Sequence, residues 1–232
     1  DIGVYEKAEP LYLNAQSIQN EIFGKENRAY TRILNDLAIF YRVIGNYEKA
    51  EYLYLEAISI NEKIMGKESR VYAGSINNIS ILYKMMGNYE KAELFCIEAK
   101  EIREKLFGNK HFIYSSSLSN LADLYEKKGD YGRAELLLQE CKAIREKLFG
   151  HENLNYGNCL NNLANLYIYM KNYEKAELYF NEVLPLYKKI IGENHIYYAN
   201  CLYNLGLLYA EIGNFSKAEY CLSVGFSMKS GS

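Results

Sequence analysis

The chain has 232 residues, 27 basic and 29 acidic side chains, a net charge of −2 and an apolar fraction of 49%. That composition excludes a disordered polymer, which lacks the apolar residues to offset its ordering entropy. It also lacks the basic excess of a nucleic-acid reader. No stretch approaches the roughly 18 apolar residues of a membrane span, so neither nucleic acid nor membrane is expected as a partner.

In chain order, Tyr5-Glu6-Lys7-Ala8-Glu9 opens a pattern that returns as Tyr47-Glu48-Lys49-Ala50-Glu51 and Tyr89-Glu90-Lys91-Ala92-Glu93. It continues as Tyr131-Gly132-Arg133-Ala134-Glu135, Tyr173-Glu174-Lys175-Ala176-Glu177 and Phe215-Ser216-Lys217-Ala218-Glu219, each step being 42 residues. Within a period the apolar spacing is helical, as in Ile76, Ile79, Leu82, Tyr83 and Met86. Gly24, Gly66, Gly108, Gly150 and Gly192 end one class of helix, where a left-handed residue closes the last turn. Gly3, Gly45, Gly87, Gly129 and Gly213 make the other turn, and Lys171 stands where a sixth glycine would, predicting a strained or altered turn. The result is a leading helix B followed by five A–B pairs. The A helices are expected near 28–44, 70–86, 112–128, 154–170 and 196–212, and the B helices near 47–64, 89–106, 131–148, 173–190 and 215–228. Pro10 falls inside the first B helix and should cost one backbone hydrogen bond there.

Neither helix of a pair can bury its stripe alone, so residues 1–228 read as a single repeat array and 229–232 as a tail left over from cloning. The chain starts at Asp1 rather than Met, and Asp1-Ile2-Gly3 aligns with the tail of a helix A. A fragment of a longer protein is therefore expected, with some tendency to self-associate end to end.

Chemistry-bearing motifs are missing: no phosphate-binding glycine loop, no metalloprotease helix and no nucleophile elbow occurs. The cysteines Cys96, Cys141, Cys159, Cys201 and Cys221 are odd in number and show no C-x-x-C spacing. They read as small buried hydrophobes in a reducing cytoplasm. His111 and His195 share a position with Asn27, Ser69 and Asn153 just before helix A, which predicts a capping role. His151 sits in a loop without a paired acid or thiol nearby. Glu101 and Lys105 are expected to pair along one solvent-facing helix turn. No catalytic site, cofactor or metal is expected.

Leu163-Ala164…Tyr167, repeated as Leu121-Ala122…Tyr125 and Leu37-Ala38…Tyr41, together with the helix B alanines Ala50, Ala92, Ala134, Ala176 and Ala218, resembles the tetratricopeptide repeat. The 42-residue period, Asn161-Asn162-Leu163-Ala164-Asn165-Leu166-Tyr167 and Glu101-Ile102-Arg103-Glu104-Lys105-Leu106-Phe107-Gly108 are similar to the kinesin-light-chain variety. Phe112 and Ile196 depart from it, standing where that variety often has proline. The resemblance implies an all-α, right-handed α-solenoid of antiparallel helix pairs, about five and a half repeats of 42 residues. It further implies a protein-interaction scaffold that binds a peptide segment in a groove lined by A helices. Alternatives from the same resemblance are a regulatory segment of a larger bacterial enzyme, such as a caspase-like (CHAT-type) protease, or a motor cargo adaptor.

The groove side follows from helix geometry. With the Leu163 position at the centre of the packed face, residues two before, two after, five before and five after it lie about 140–160° or more away. Those positions hold Arg32, Asn35, Ile39 and Arg42 in the first full repeat, then Asn77, Ile81 and Lys84 in the second. Ser119 and Asp123, then Asn158, Asn161 and Asn165, then Asn200 and Tyr203 follow in the later ones. Asn side chains donate and accept, which suits an extended peptide backbone, and Arg32, Arg42 and Lys84 favour an acidic segment at the N-terminal end. The adjacent Asn78, Asn120, Asn162 and Asn204 fall on the flank, about 100° from the core centre, and read as structural.

Overall fold

A computed structural model of the chain describes the backbone of residues 2–230 and the side chains of residues 8–227. Among the described residues there are eleven α-helices and no strand. They are α1 (Ile2–Phe23), α2 (Arg28–Val43), α3 (Tyr47–Met65), α4 (Arg70–Met85), α5 (Tyr89–Phe107), α6 (Phe112–Lys127), α7 (Tyr131–Phe149), α8 (Leu154–Tyr169), α9 (Tyr173–Ile191), α10 (Ile196–Glu211) and α11 (Phe215–Ser230). The even-numbered A helices and odd-numbered B helices fall within two residues of the expected ranges. They group into two compact units, Asp1–Asn109 with α1–α5 and Lys110–Ser232 with α6–α11. In each unit neighbouring helices pack as A–B pairs in the manner of a tetratricopeptide-type solenoid.

Each boundary has a local cause. The A helices begin at Asn27, Ser69, His111, Asn153 and His195, whose side chains accept from backbone N–H groups of the first turn. The capping role expected for both histidines is therefore what the structure shows. Asn46, Asn88, Asp130 and Asn172 do the same for α3, α5, α7 and α9, and Asn214 for α11. Between A and B the chain reverses through a left-handed residue, and the next N–H reaches back to a tyrosine carbonyl, as from Asn46 to Tyr41 at 2.8 Å. Lys171 makes this turn at φ 56°, the one non-glycine with positive φ among the described residues. Gly3 differs from its counterparts: α1 runs through it. Tyr5 and Lys7 lie outside the described side chains.

Packing explains the repeated pentapeptide. Ala50, Ala92, Ala134 and Ala176 are fully buried where helices approach. The pentapeptide Glu of one repeat accepts a hydrogen bond from a tyrosine of the following A helix: Tyr41 to Glu9 at 2.5 Å and Tyr83 to Glu51 at 2.6 Å in the first unit. In the second unit the pairs are Tyr167 to Glu135 at 2.5 Å and Tyr209 to Glu177 at 2.8 Å. The next pentapeptide's Lys lies over that ring, as Lys91 does on Tyr83 at 4.7 Å, and also pairs with the Glu at 3.7 Å. A second tyrosine register joins A to B inside a repeat, through Tyr72–Glu98, Tyr114–Glu140 and Tyr156–Glu182. Lys105 does not pair along its helix as expected: it reaches Glu68 at 2.9 Å. The antiparallel return of helix B brings its end beside the start of its own helix A, and Lys63–Glu26 and Lys189–Glu152 repeat the contact.

Candidate functional site: an amide-lined cleft

In the second unit the A helices α6, α8 and α10 wall a cleft of about 910 Å³. Ser116, Ser119, Asp123 and Glu126 come from α6, Asn158, Asn161, Asn165 and Ile168 from α8, and Asn200, Leu207 and Ala210 from α10. These residues occupy the four positions opposite the packed face. The expected Ser119, Asp123, Asn158, Asn161, Asn165 and Asn200 are thus brought together. Tyr203 is placed elsewhere: α11 lays Gly225 so close to it that a Cβ there would stand 3.1 Å from the Tyr203 backbone nitrogen.

Asn120, Asn162 and Asn204, read as structural flank residues, also line this cleft. The cause is the neighbouring helix: the flank of one A helix is the wall beside the next. Asn204 Nδ2 donates to Asn165 Oδ1 at 2.9 Å, from α10 to α8. The amides therefore divide. Asn158 Oδ1 accepts from the Tyr187 hydroxyl at 2.6 Å and Asn165 from Asn204. Asn161 Oδ1 is buried and has no hydrogen-bond partner. A buried acceptor left unpaired costs about 1–3 kcal/mol.

The floor of the cleft belongs to helix B, which the sequence reading passed over. Leu138 and Arg145 of α7 and Tyr187 of α9 reach it. Arg145 is only 6% exposed. Its Nε donates to Ser115 Oγ at 3.2 Å, its Nη1 donates to the Asn155 carbonyl at 3.0 Å, and its guanidinium lies over Phe112. Among the described residues no carboxylate pairs with it. A signal was present in the sequence: the same helix B position holds Gln19, Asn61, Arg103, Arg145 and Tyr187, polar or hydroxyl-bearing in every copy of an otherwise apolar stripe. In the first unit Asn61 donates to Ser75 Oγ at 3.0 Å and Arg103 to Asn77 Oδ1 at 3.1 Å. Burial draws the Arg103 pKa below its ordinary value.

The first unit has a smaller cleft of about 530 Å³, lined by Arg28, Thr31, Arg32, Asn35, Gly74, Ser75 and Asn78. Arg32 and Asn35 are where they were expected. Asn35 Nδ2 donates to the Thr31 carbonyl at 2.8 Å and Ser75 Oγ at 3.3 Å, leaving its Oδ1 buried without a partner. Arg32 is well exposed, 4.0 Å from Asp36. Asn77 is turned inward onto Arg103, and Arg42 points Nη1 at Met85 Sδ at 3.3 Å. Ile39, Ile81 and Lys84 are half-buried and do not form this cleft's wall. His151 has an acid within reach after all, Glu146 at 3.3 Å, and all five cysteines are buried.

The tetratricopeptide repeat family matches residues 1–63, 71–147, 137–189 and 179–228. The chain belongs to this family. Among solved structures, this tetratricopeptide repeat chain is similar to BtubC (BKLC) from P. vanneervenii, at 21% identity and a TM-score of 0.77 over 98% of this chain and 90% of that one. A putative kinesin light chain of Podosopora anserina with nearly identical TPR-like repeats is similar at 20% identity and a TM-score of 0.70, covering 86% of this chain and 95% of that one. A Rap protein complexed with Competence and Sporulation Factor is similar at 14% identity and a TM-score of 0.67, covering 99% and 71%. At such identities the likeness is one of fold, and it agrees with the kinesin-light-chain-like period of the repeats. A comparison with curated protein sequences finds no match. No described helix is long and apolar enough to cross a membrane.

Proposed function

We propose that this tetratricopeptide repeat chain is a protein-interaction scaffold that receives an extended peptide segment of a partner in the cleft walled by α6, α8 and α10. The observation that carries the reading is Asn161, whose amide oxygen is buried in the cleft wall and unpaired. Asn162 and Asn200 stand beside it with amides that donate and accept, which matches an extended backbone offering both N–H and C=O groups. The cleft's size suits several residues of chain, and Tyr169, Tyr197 and Leu207 give ligand side chains apolar contact. A structural relative, the Rap protein, is complexed with Competence and Sporulation Factor, which supports partner binding as a use of such a fold. In the first unit, Arg28 and Arg32 around Asn35 favour an acidic segment there.

The test is a displayed library of unstructured peptides selected on the whole chain, with affinities then measured on Asn161→Ala/Asn200→Ala. The double variant should bind selected peptides about tenfold or more weakly, one tenfold step being about 1.4 kcal/mol. Its thermal midpoint should hold or rise, because neither amide holds the fold and Asn161→Ala removes an unpaired acceptor. Unchanged affinity would refute the reading.

A further inference from the structure

Two of the buried cysteines meet. Cys141 of α7 and Cys159 of α8 place their sulfurs 3.1 Å apart, and both side chains are wholly buried. They share a core cluster with Tyr114 and Leu118. Polar groups converge on Cys141: its thiol donates to the Ser115 carbonyl at 3.2 Å, and Ser119 Oγ lies 3.7 Å away. Arg145, one turn further along α7, bonds the same Ser115 and has no carboxylate to neutralise it. The hydrogen bond from Cys159, with the Arg145 charge beside it, draws the Cys141 pKa down, while the same partnership pushes the Cys159 thiol up. Cys201 is equally buried, yet burial alone acts on it and raises it. Ser119 and Arg145 are also cleft-lining residues, so the Cys141 sulfur lies one side chain beneath the cleft surface.

We propose that Cys141 and Cys159 are an oxidation site, a thiol pair that a hydroperoxide converts into an internal disulfide tying α7 to α8. The Cys141 thiolate attacks one peroxide oxygen, the O–O bond breaks, and hydroxide leaves Cys141 as a sulfenic acid. The Cys159 sulfur then attacks the Cys141 sulfur, and the S–OH group departs as water with the Cys159 proton. Two thiols and one hydrogen peroxide thereby give one disulfide and two waters. The sulfurs must close by about 1 Å to reach bonding distance. Arg145 serves as a positioning residue whose charge eases ionisation of the attacking sulfur.

No cleft ligand is involved, so this test stands apart from the peptide reading. The native chain is exposed to hydrogen peroxide at neutral pH, quenched, unfolded in denaturant so that every remaining thiol is capped with N-ethylmaleimide, and weighed without reduction. The expected result is loss of two hydrogens and two of five thiols, with a proteolytic map joining Cys141 to Cys159. Cys201 should be lost roughly tenfold more slowly, as its thiol is not activated. In Cys159→Ser, Cys141 should be trapped as a dimedone adduct. Five thiols surviving in the wild-type chain, or a disulfide through Cys96, Cys201 or Cys221 instead, would overturn the proposal, and neither result depends on a variant folding.

Discussion

Tyr83 shows how one residue type carries several duties in this chain. Its ring is buried, stacked on Phe95 at 5.8 Å and covered by Lys91, while its hydroxyl donates to Glu51. Tyr83→Phe keeps the stack and removes the bond, so a loss of about 1–2 kcal/mol in denaturant unfolding is expected. The paired tyrosines also set an alkaline limit. Burial and the bonded glutamates Glu98 and Glu177 raise the pKa values of Tyr72 and Tyr209 to about 12. A raised folded pKa means stability that is complete below the unfolded value near 10 and is lost as pH rises through 12. The denaturation midpoint should therefore fall between pH 10 and 12, and fall less in Tyr72→Phe/Tyr209→Phe. An equal fall in the wild type and the double variant would contradict this. The cleft divides by the same reasoning: Asn158 and Asn165 hold neighbours, whereas Asn161 holds an oxygen in reserve.

At the scale of elements, the turn before α9 is a natural experiment. Gly45, Gly87, Gly129 and Gly213 take φ between 75° and 81°, and Lys171 takes 56° at the equivalent place. A side chain in that region costs roughly 1–2 kcal/mol, part of which returns because glycine is freer in the unfolded chain. Lys171→Gly should therefore stabilise by about 0.5–1 kcal/mol, read as a higher denaturation midpoint with an unchanged slope. A lower midpoint would mean that the lysine side chain makes a compensating contact. Helix boundaries were legible from sequence to within two residues because their causes are local: a capping side chain, a left-handed glycine and a fixed 42-residue step. The cleft was less legible. Helical geometry put Asn161 and Asn200 on the side that lines the cleft, but it treats each helix as isolated, so it could not see that the Asn204 flank faces α8. Tyr203 does not line the cleft, since α11 closes on its backbone.

At the scale of the molecule, a repeat that never gains or loses a residue lets one set of contacts recur within each unit. Arg145 illustrates what stayed hidden. A charged residue in helix B looks like solvent-facing decoration until the fold brings Ser115 and Asn155 around it at the cleft floor. The pairing of Cys141 with Cys159 is equally non-local in origin: two residues from different helices meet only because α7 and α8 pack together. The central claim, that the amides of α8 and α10 receive a peptide backbone, is tested most directly by nuclear magnetic resonance of Asn side-chain amides with a selected peptide bound. The account predicts that the signals of Asn161, Asn162 and Asn200 shift, and that their amide protons exchange more slowly, while those of the capping residues Asn46 and Asn172 stay in place. Unmoved signals from Asn161 and Asn200 at saturating peptide would contradict it.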